Sequence, residues 1–171
     1  MPVVSEDMIL DAVNQADVPI GHIKREDVFA THVGFRVAHV LIFNSQGQLL
    51  LQRLAAGRKR NPGAWGSSVA SYLFASESYQ AAASRRVTEE LGVIAPSLTF
   101  LGKTEMMDDG CLKFISIFTM NYDGPFVLDR SHIEEIEFLL PVRVRGMIDD
   151  GTRQFTPTFL HVFRYYASRF L

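Results

Sequence analysis

The stretch SYLFASESYQAAASRRVTEELGV, residues 71–93, decides how the rest of the chain is interpreted. Its second half has the pattern of an amphipathic helix, because Val87 and Leu91 are four residues apart and share one face. The small residues 81–84 allow close packing against a neighbouring element, and Gly92 suits the end of a helix. We therefore expect a helix that buries one face and ends at Gly92.

The other side of the predicted helix is highly charged. It carries Arg85, Arg86, Glu89 and Glu90. Two adjacent carboxylates on a helix do not face each other, but both reach one charged object that lies above the helix. Mg²⁺ takes oxygen ligands and pairs with substrate phosphates. The pattern indicates a site for metal ions and phosphate groups.

The stretch resembles the Nudix box, which has glutamates, an arginine, a glycine and aliphatic residues at fixed spacings. The positions in register are Glu77, Arg85, Val87, Glu89, Glu90, Gly92 and Val93. Two positions depart from the box, since Ser71 replaces its first glycine and Arg86 replaces the glutamate after its arginine. The resemblance implies an α/β protein with the α/β/α sandwich and mixed β-sheet of the family.

Composition and charge exclude several classes of protein. The chain of 171 residues is long enough for one domain with a substantial core. The single cysteine, Cys111, excludes an internal disulfide and a thiolate zinc cluster. No apolar run approaches the ~20 residues of a membrane span, and the N-terminus lacks a signal-peptide pattern, so we expect a cytoplasmic protein without a membrane partner. The net charge of −2 gives no obvious indication of nucleic-acid binding.

The chain is expected to comprise a leader and one domain within a single globular unit. Residues 1–33 predict a hairpin and a helical turn, and they resemble the leader of Nudix proteins related to isopentenyl diphosphate isomerase. Residues 34–171 predict the Nudix domain. Strands are expected at residues 33–43, 48–54, 67–73, 98–106, 112–122 and 133–140, and further helices at 142–148 and from Pro157. Residues 112–122 are a candidate edge strand, and a homodimer is a possible assembly.

The resemblance implies a Mg²⁺ (or Mn²⁺) site and assigns roles to particular residues. It implies that Glu89 and Glu90 bind the metal, together with a backbone carbonyl at Ser71. It places Glu77 and Arg85 in the catalytic apparatus, where Glu77 organises the loop before the helix. Arg85 is expected to hold the box carboxylates through ion pairs.

Arg86 is the departure that bears on chemistry, because it adds a positive charge where the family has a metal ligand. Three outcomes are open. The site binds fewer metals and still works, or the base comes from elsewhere, with Glu134 and Glu135 as candidates, or the protein binds without cleaving. An alternative without function is that Arg86 and Glu90, like Arg85 and Glu89, form helix-surface ion pairs worth about 0.2–0.5 kcal/mol each.

A basic loop follows the second strand of the domain. Arg53 lies at the strand end, and Arg58, Lys59 and Arg60 follow it. We expect Arg53, Arg58 and Arg86 to bind substrate phosphates, because guanidinium groups match phosphate oxygens. The alternative is a solvated surface loop.

Three functions are weighed. The resemblance favours Mg²⁺-dependent hydrolysis of the pyrophosphate linkage in nucleoside di- or triphosphates or other nucleoside diphosphate derivatives. The alternative is a weak or silent Nudix-fold module that binds a nucleotide. Isopentenyl diphosphate isomerase is less favoured, because Val69 and Ala70 occupy the region of that family's cysteine and Tyr72 stands at its histidine.

Overall fold

The computed structural model describes residues 8–171, so the first seven residues of the predicted leader lie outside the described part. The leader contains the expected hairpin, formed by strands β1 (Ile9–Val13) and β2 (Pro19–Lys24). The side chain of Asn14 accepts hydrogen bonds from the backbone of Ala16 and Val18, which stabilises the turn. A 3₁₀ turn at Arg25–Asp27 and the short helix α1 (Val28–Thr31) complete the leader.

A mixed sheet of seven strands forms the centre of the domain. Its strands are β3 (Phe35–Phe43), β4 (Leu49–Leu54), β5 (Trp65–Gly66), β6 (Val69–Tyr72), β7 (Thr99–Asp108), β8 (Cys111–Asn121) and β9 (Ile133–Leu139). Strands β3 and β8 are parallel, and the other pairs are antiparallel. Strand β8 lies between β3 and β7, so the expectation that residues 112–122 form an edge is wrong. The central position follows from its apolar sequence, which is buried over most of its length.

Helices cover both faces of this sheet, which confirms the predicted α/β/α sandwich. Helix α2 (Tyr79–Leu91) packs on one face, and α3 (Pro141–Asp150) and α4 (Pro157–Phe170) pack on the other. The core on the α2 side includes Ala82, Ala83 and Val87, all fully buried. The core on the α4 side includes Phe159 and Val162.

The ends of α2 follow from its sequence. Ser78 caps the helix by accepting a hydrogen bond from the backbone of Ala81 at 3.1 Å. Gly92 ends the helix with φ of 69°, as predicted, and a Cβ at this position would lie 2.8 Å from the Cβ of Val127. Only glycine meets both conditions, so the helix end and the charged side chains before it are fixed in place.

The leader supports the loop that precedes α2. The backbone of Ala75 donates to the carbonyl of Ile9 at 2.9 Å, and the backbone of Ser76 donates to the carboxylate of Asp11 at 2.8 Å. The leader therefore holds the loop that carries Glu77, and the division at residue 33 stays a prediction. No helix in residues 8–171 is long and apolar enough to cross a membrane.

Candidate functional site

A cavity of about 130 Å³ lies beside helix α2. It is bounded by residues of β3, β4 and β6, the basic loop, the leader and α2. Its cationic lining residues are Arg25, Arg58, Arg60, Arg85, Arg86 and Lys113. Within residues 8–171, no aspartate or glutamate lines this cavity. The lining therefore suits an anion.

Glu90 lies under this cavity and is fully buried. Its Oε1 atom is 2.8 Å from Arg86 Nε and 2.9 Å from His132 Nε2, although neither contact has hydrogen-bond alignment. Its Oε2 atom accepts a hydrogen bond from Gln52 Nε2 at 2.8 Å. Burial raises the pKa of Glu90, but His132, Arg86 and Gln52 together hold the pKa below its usual value. Glu90 is thus a buried anion whose negative charge is already matched.

Arg86 is the partner that joins the two box glutamates. Its side chain is only 6% exposed, and its Nη1 atom donates to Glu89 Oε2 at 3.0 Å. The Arg86–Glu90 pair is therefore not an exposed helix-surface pair, and the surface value of about 0.2–0.5 kcal/mol does not apply to it. Removing either partner leaves a buried charge without compensation.

Arg85 and Glu77 form the outer part of the network. Arg85 makes two hydrogen bonds to Glu77, Nε to Oε2 at 2.8 Å and Nη2 to Oε1 at 2.9 Å, and it also contacts Glu89 at 3.3 Å. Glu77 Oε1 accepts from the backbone of Phe74 at 3.0 Å. Arg85 therefore pairs with two box glutamates and Glu77 binds the loop before α2, while the catalytic roles that the resemblance implies for both residues stay predictions.

Arg58 reaches the cavity from the basic loop. Its Nη1 atom contacts the ring of His132, which in turn contacts Arg86. Burial lowers the pKa of Arg58, the charge of Glu90 opposes this change, and the positive charges of Arg86 and Arg25 lower the pKa further. Three arginines of like charge therefore converge at the cavity, and a bound anion relieves their repulsion.

The far side of the cavity is charge-balanced and partly neutral. Asp108 pairs with Arg60 at 2.9 Å and with Lys113 at 2.6 Å. The ring of His39 contacts the hydroxyl of Ser67 at 2.8 Å. Burial lowers the pKa of His39 to about 3, and Lys113 and His161 add to the shift, so this ring is neutral at pH 7.

The predicted residues separate into two groups in space. Arg58, Arg86, Arg85 and Ser71 line the cavity, and Glu89, Glu90 and Glu77 contact these arginines. Arg53 is outside the lining and lies 3.6 Å from Glu135, with both side chains about half exposed. Glu134 is also exposed and outside the lining.

Ser71 lies in strand β6 rather than in a strained turn. It pairs with Ala38 of β3, and its hydroxyl donates to the carbonyl of Tyr72 at 2.8 Å. The left-handed backbone of this region falls instead on Ser76, with φ of 66°. The serine is therefore tolerated, and coordination by its carbonyl stays a prediction.

Several residues of the site were not predicted from the sequence; Gln52 and His132 contact Glu90, and Arg25, His39 and Lys113 line the cavity. Gln52 directly precedes Arg53, and successive residues of a strand point to opposite faces. The burial of Gln52 and the exposure of Arg53 follow from that alternation. His132 lies in an irregular segment before β9 and belongs to no motif, so no local signal identifies it.

The strand that holds the catalytic cysteine and histidine in the isomerases has neither group here. Ala70 and Tyr72 line the cavity at this place. The ring of Tyr72 is covered by Phe35 on one side, with centroids 5.7 Å apart, and by the guanidinium of Arg25 at 4.6 Å. The lining from β6 therefore offers no thiol or imidazole.

An α/β/α sandwich with a charged helix at the mouth of a cationic cavity is the type of site seen in enzymes and binding proteins for phosphate compounds. A NUDIX domain is recognised over residues 34–159, so the chain belongs to the Nudix family, as predicted. It is 29% identical over 129 residues to an uncharacterized Nudix hydrolase of Pseudomonas aeruginosa, covering 75% of this chain and 76% of the relative. It is 24% identical over 160 residues to the uncharacterized Nudix hydrolase YfcD of Escherichia coli, covering 94% and 87%.

Other relatives confirm the subgroup and the fold. Isopentenyl-diphosphate Delta-isomerase 2 of Photorhabdus laumondii is 24% identical over 157 residues, covering 90% of this chain and 89% of the relative. The structure of DR0079 from Deinococcus radiodurans has a TM-score of 0.81 and 25% identity, with coverage of 92% and 98%. The Nudix domain of Shewanella oneidensis NrtR, complexed with ADP ribose, has a TM-score of 0.62 and 12% identity, with coverage of 87% and 100%.

Nudix enzymes generally use divalent metal ions, which need several donor atoms held around one point. In residues 8–171, no three His, Cys, Asp or Glu side chains are grouped as a metal site requires. Glu89 and Glu90 both form ion pairs with Arg86, and Glu89 also forms one with Arg85. As they lie, these side chains do not fit a divalent cation, since the negative charge that would attract one is already neutralised.

Proposed function

We propose that this protein binds the diphosphate group of a nucleoside diphosphate derivative in the cavity beside α2. The proposal rests on the cavity lining. Among the described residues that line the cavity, six are cationic and none is an aspartate or glutamate. Diphosphates are multiply charged anions, and guanidinium groups bind phosphate oxygens through short, charge-assisted hydrogen bonds.

The size of the cavity supports a diphosphate rather than a whole nucleotide inside it. A cavity of about 150 Å³ holds one benzene molecule. The present cavity of about 130 Å³ is therefore large enough for a small anion. The nucleoside lies at the cavity mouth, and the ring of Tyr72 is already engaged by Phe35 and Arg25 rather than by a base.

Each residue then has a defined task. Arg58 and Arg86, which both contact the ring of His132, donate to the phosphate oxygens. Glu89 and Glu90 orient Arg86 from below, and Gln52 fixes Glu90 by a hydrogen bond of 2.8 Å. A guanidinium held in this way loses little side-chain entropy when the ligand binds.

Hydrolysis of the pyrophosphate linkage is the second candidate function. It is favoured by the register of the box residues Glu77, Arg85, Glu89 and Glu90 and by relatives named as Nudix hydrolases. Arg86 offers no lone pair to act as a base, and it neutralises both glutamates. We therefore expect turnover to be slow or undetectable.

A panel of nucleotides tests both candidates. It comprises nucleoside di- and triphosphates, nucleotide sugars and dinucleoside polyphosphates, each with and without Mg²⁺. Calorimetry measures binding, and released phosphate or pyrophosphate measures turnover, for the parent protein and for Glu89→Gln and Glu90→Gln.

The proposal predicts that at least one nucleoside diphosphate derivative binds with little turnover. Mg²⁺-dependent turnover that disappears in both glutamine variants would instead establish hydrolysis as the function. Absence of binding across the panel would show that the cavity is not a diphosphate site.

A further inference from the structure

We infer that the Arg86 guanidinium takes the place of a divalent cation at this site, so that the diphosphate is bound as the metal-free anion. The inference rests on the proposed function and specifies how the site neutralises its ligand. It also reverses the expectation of Mg²⁺ or Mn²⁺ dependence that the resemblance implies.

The first step concerns where the positive charge lies. A metal in such a site joins protein carboxylates to phosphate oxygens. Arg86 lies against the same two carboxylates, with Nε 2.8 Å from Glu90 Oε1 and Nη1 3.0 Å from Glu89 Oε2. It also lines the cavity. The guanidinium therefore has carboxylates on one side and the ligand space on the other, as a bridging cation has.

The second step concerns how firmly the charge is held. Arg86 is 5% exposed and Glu90 is fully buried, so the pair is shielded from competing water and salt. An arginine carries five N–H donors; Nη1 and Nη2 of Arg86 direct one each at Glu89 and His132, and its Nε lies against Glu90 without hydrogen-bond alignment. The two remaining donors match the bidentate geometry that arginine uses with phosphate.

The third step concerns the charge left for a metal. The carboxylates of the network are Glu77, Glu89 and Glu90, and the arginines in contact with them or with His132 are Arg85, Arg86 and Arg58. The charges of these six side chains cancel. The rest of the cavity lining adds Arg25, Arg60 and Lys113, of which Arg60 and Lys113 share the partly buried carboxylate of Asp108, so the balance stays positive. An Mg²⁺ ion that enters meets net repulsion, whereas an anion meets net attraction.

Calorimetric titration of sodium pyrophosphate into the full-length protein is the direct test. One titration contains EDTA and the other contains excess Mg²⁺. We expect binding in EDTA and an apparent affinity about tenfold weaker in Mg²⁺, because Mg²⁺ sequesters pyrophosphate in a form that the site disfavours. Binding only in Mg²⁺ overturns the inference while leaving the diphosphate site intact. No binding in either condition overturns the proposed function as well.

Variants at position 86 give an independent readout. Arg86→Gln should weaken pyrophosphate binding in EDTA at least tenfold, while Arg53→Gln, which changes an exposed arginine outside the cavity, should change it less than twofold. Arg86→Glu places a third carboxylate beside Glu89 and Glu90, so this variant should bind Mn²⁺ detectably by electron paramagnetic resonance. Mn²⁺ binding by the parent as tight as that of Arg86→Glu would overturn the inference, and the EDTA comparison decides it even where a variant fails to fold.

Discussion

Asp17 in the leader and Glu90 in helix α2 are two largely buried carboxylates. Each is surrounded by three donor side chains, but the two clusters lie in different parts of the molecule. The Asp17 side chain is 8% exposed and contacts Arg36 at 2.6 Å, Tyr79 at 2.8 Å and Lys103. The Glu90 side chain is fully buried and contacts Arg86, Gln52 and His132. Burial raises the pKa of each carboxyl, and the surrounding donors bring both pKa values below the usual range.

The two clusters differ in whether the side chains around the acid line the cavity. Arg36, Tyr79 and Lys103 are outside the cavity lining, and they join the leader to β3, α2 and β7. The partners of Glu90 all line the cavity. The same arrangement of one acid and three donors thus holds the fold together in one place and presents donors to a ligand in the other. Only the position relative to the cavity distinguishes the structural cluster from the functional one.

Removing the charge of Asp17 or of Glu90 should have the largest effect on the free energy of unfolding. Asp17→Asn and Glu90→Gln should each lower the free energy of unfolding by about 3 kcal/mol, because each removes the negative charge from a largely buried ion pair. Asp17→Asn should leave pyrophosphate affinity unchanged. Glu90→Gln should change it less than about threefold, because the loss of a negative charge beside Arg58 and Arg86 offsets the weaker orientation of Arg86.

Chemical denaturation and calorimetry measure these two quantities. A Glu90→Gln variant that binds pyrophosphate tenfold more weakly would contradict the account, since it would mean that the ligand needs the charge of Glu90. A similar loss in Asp17→Asn would show that the two clusters are coupled.

Substitutions of Arg58 and Arg53 should have different effects on pyrophosphate affinity, and both effects should be smaller in free energy than the loss of stability on removing either buried acid. Arg58→Ala should weaken pyrophosphate binding about tenfold, the loss of roughly one charge-assisted hydrogen bond. Arg53→Ala is the matched control and should change affinity less than twofold, because Arg53 points to Glu135 outside the cavity. Equal effects of the two substitutions, measured by calorimetry, would break the distinction between the cavity arginine and the strand-end arginine.

The smallest effect is the pH dependence of stability that arises from His39, a cavity residue that should carry no charge at pH 7. Its pKa of about 3 is far below the unfolded value of about 6.5, so the unfolded state binds more protons between these values. The stability that neutral His39 contributes is fully present above pH 6.5 and is lost as the pH falls towards 3. Between pH 7 and 6 the loss is about 0.7 kcal/mol from this group.

His39→Gln is the matching variant for this effect. It should remove that part of the pH dependence when unfolding free energies are compared at pH 7 and pH 6. An unchanged pH dependence would indicate that His39 titrates alike in the folded and unfolded states.

The sequence predicts the fold well because its signals are local. The period of Val87 and Leu91, the helix end at Gly92 and the turn at Asn14 each act within a few residues, and each predicted element is present. The family register then places Glu77, Arg85, Glu89 and Glu90 in one network. The position of a strand within a sheet depends on pairing with distant strands, so the sequence of β8 does not reveal its central place.

The candidate site was only partly predictable, for two physical reasons. His132 reaches Glu90 from 42 positions along the chain, a contact set by the tertiary fold. The four-residue spacing of Arg86 and Glu90 predicts a pair but says nothing about its burial, which changes a weak surface interaction into a strong constraint. Strand alternation places the side chains of Gln52 and Arg53 on opposite faces of β4, and this local signal is sufficient to separate the buried residue from the exposed one.

A crystal structure of the protein with pyrophosphate, grown in EDTA, tests the central claim most directly. The account predicts pyrophosphate oxygens within hydrogen-bond distance of Arg58 and Arg86, with Arg86 still in contact with Glu90. A pyrophosphate bound away from these arginines, or Arg86 withdrawn from a metal bound on Glu89 and Glu90 when crystals are grown in Mg²⁺, would contradict it.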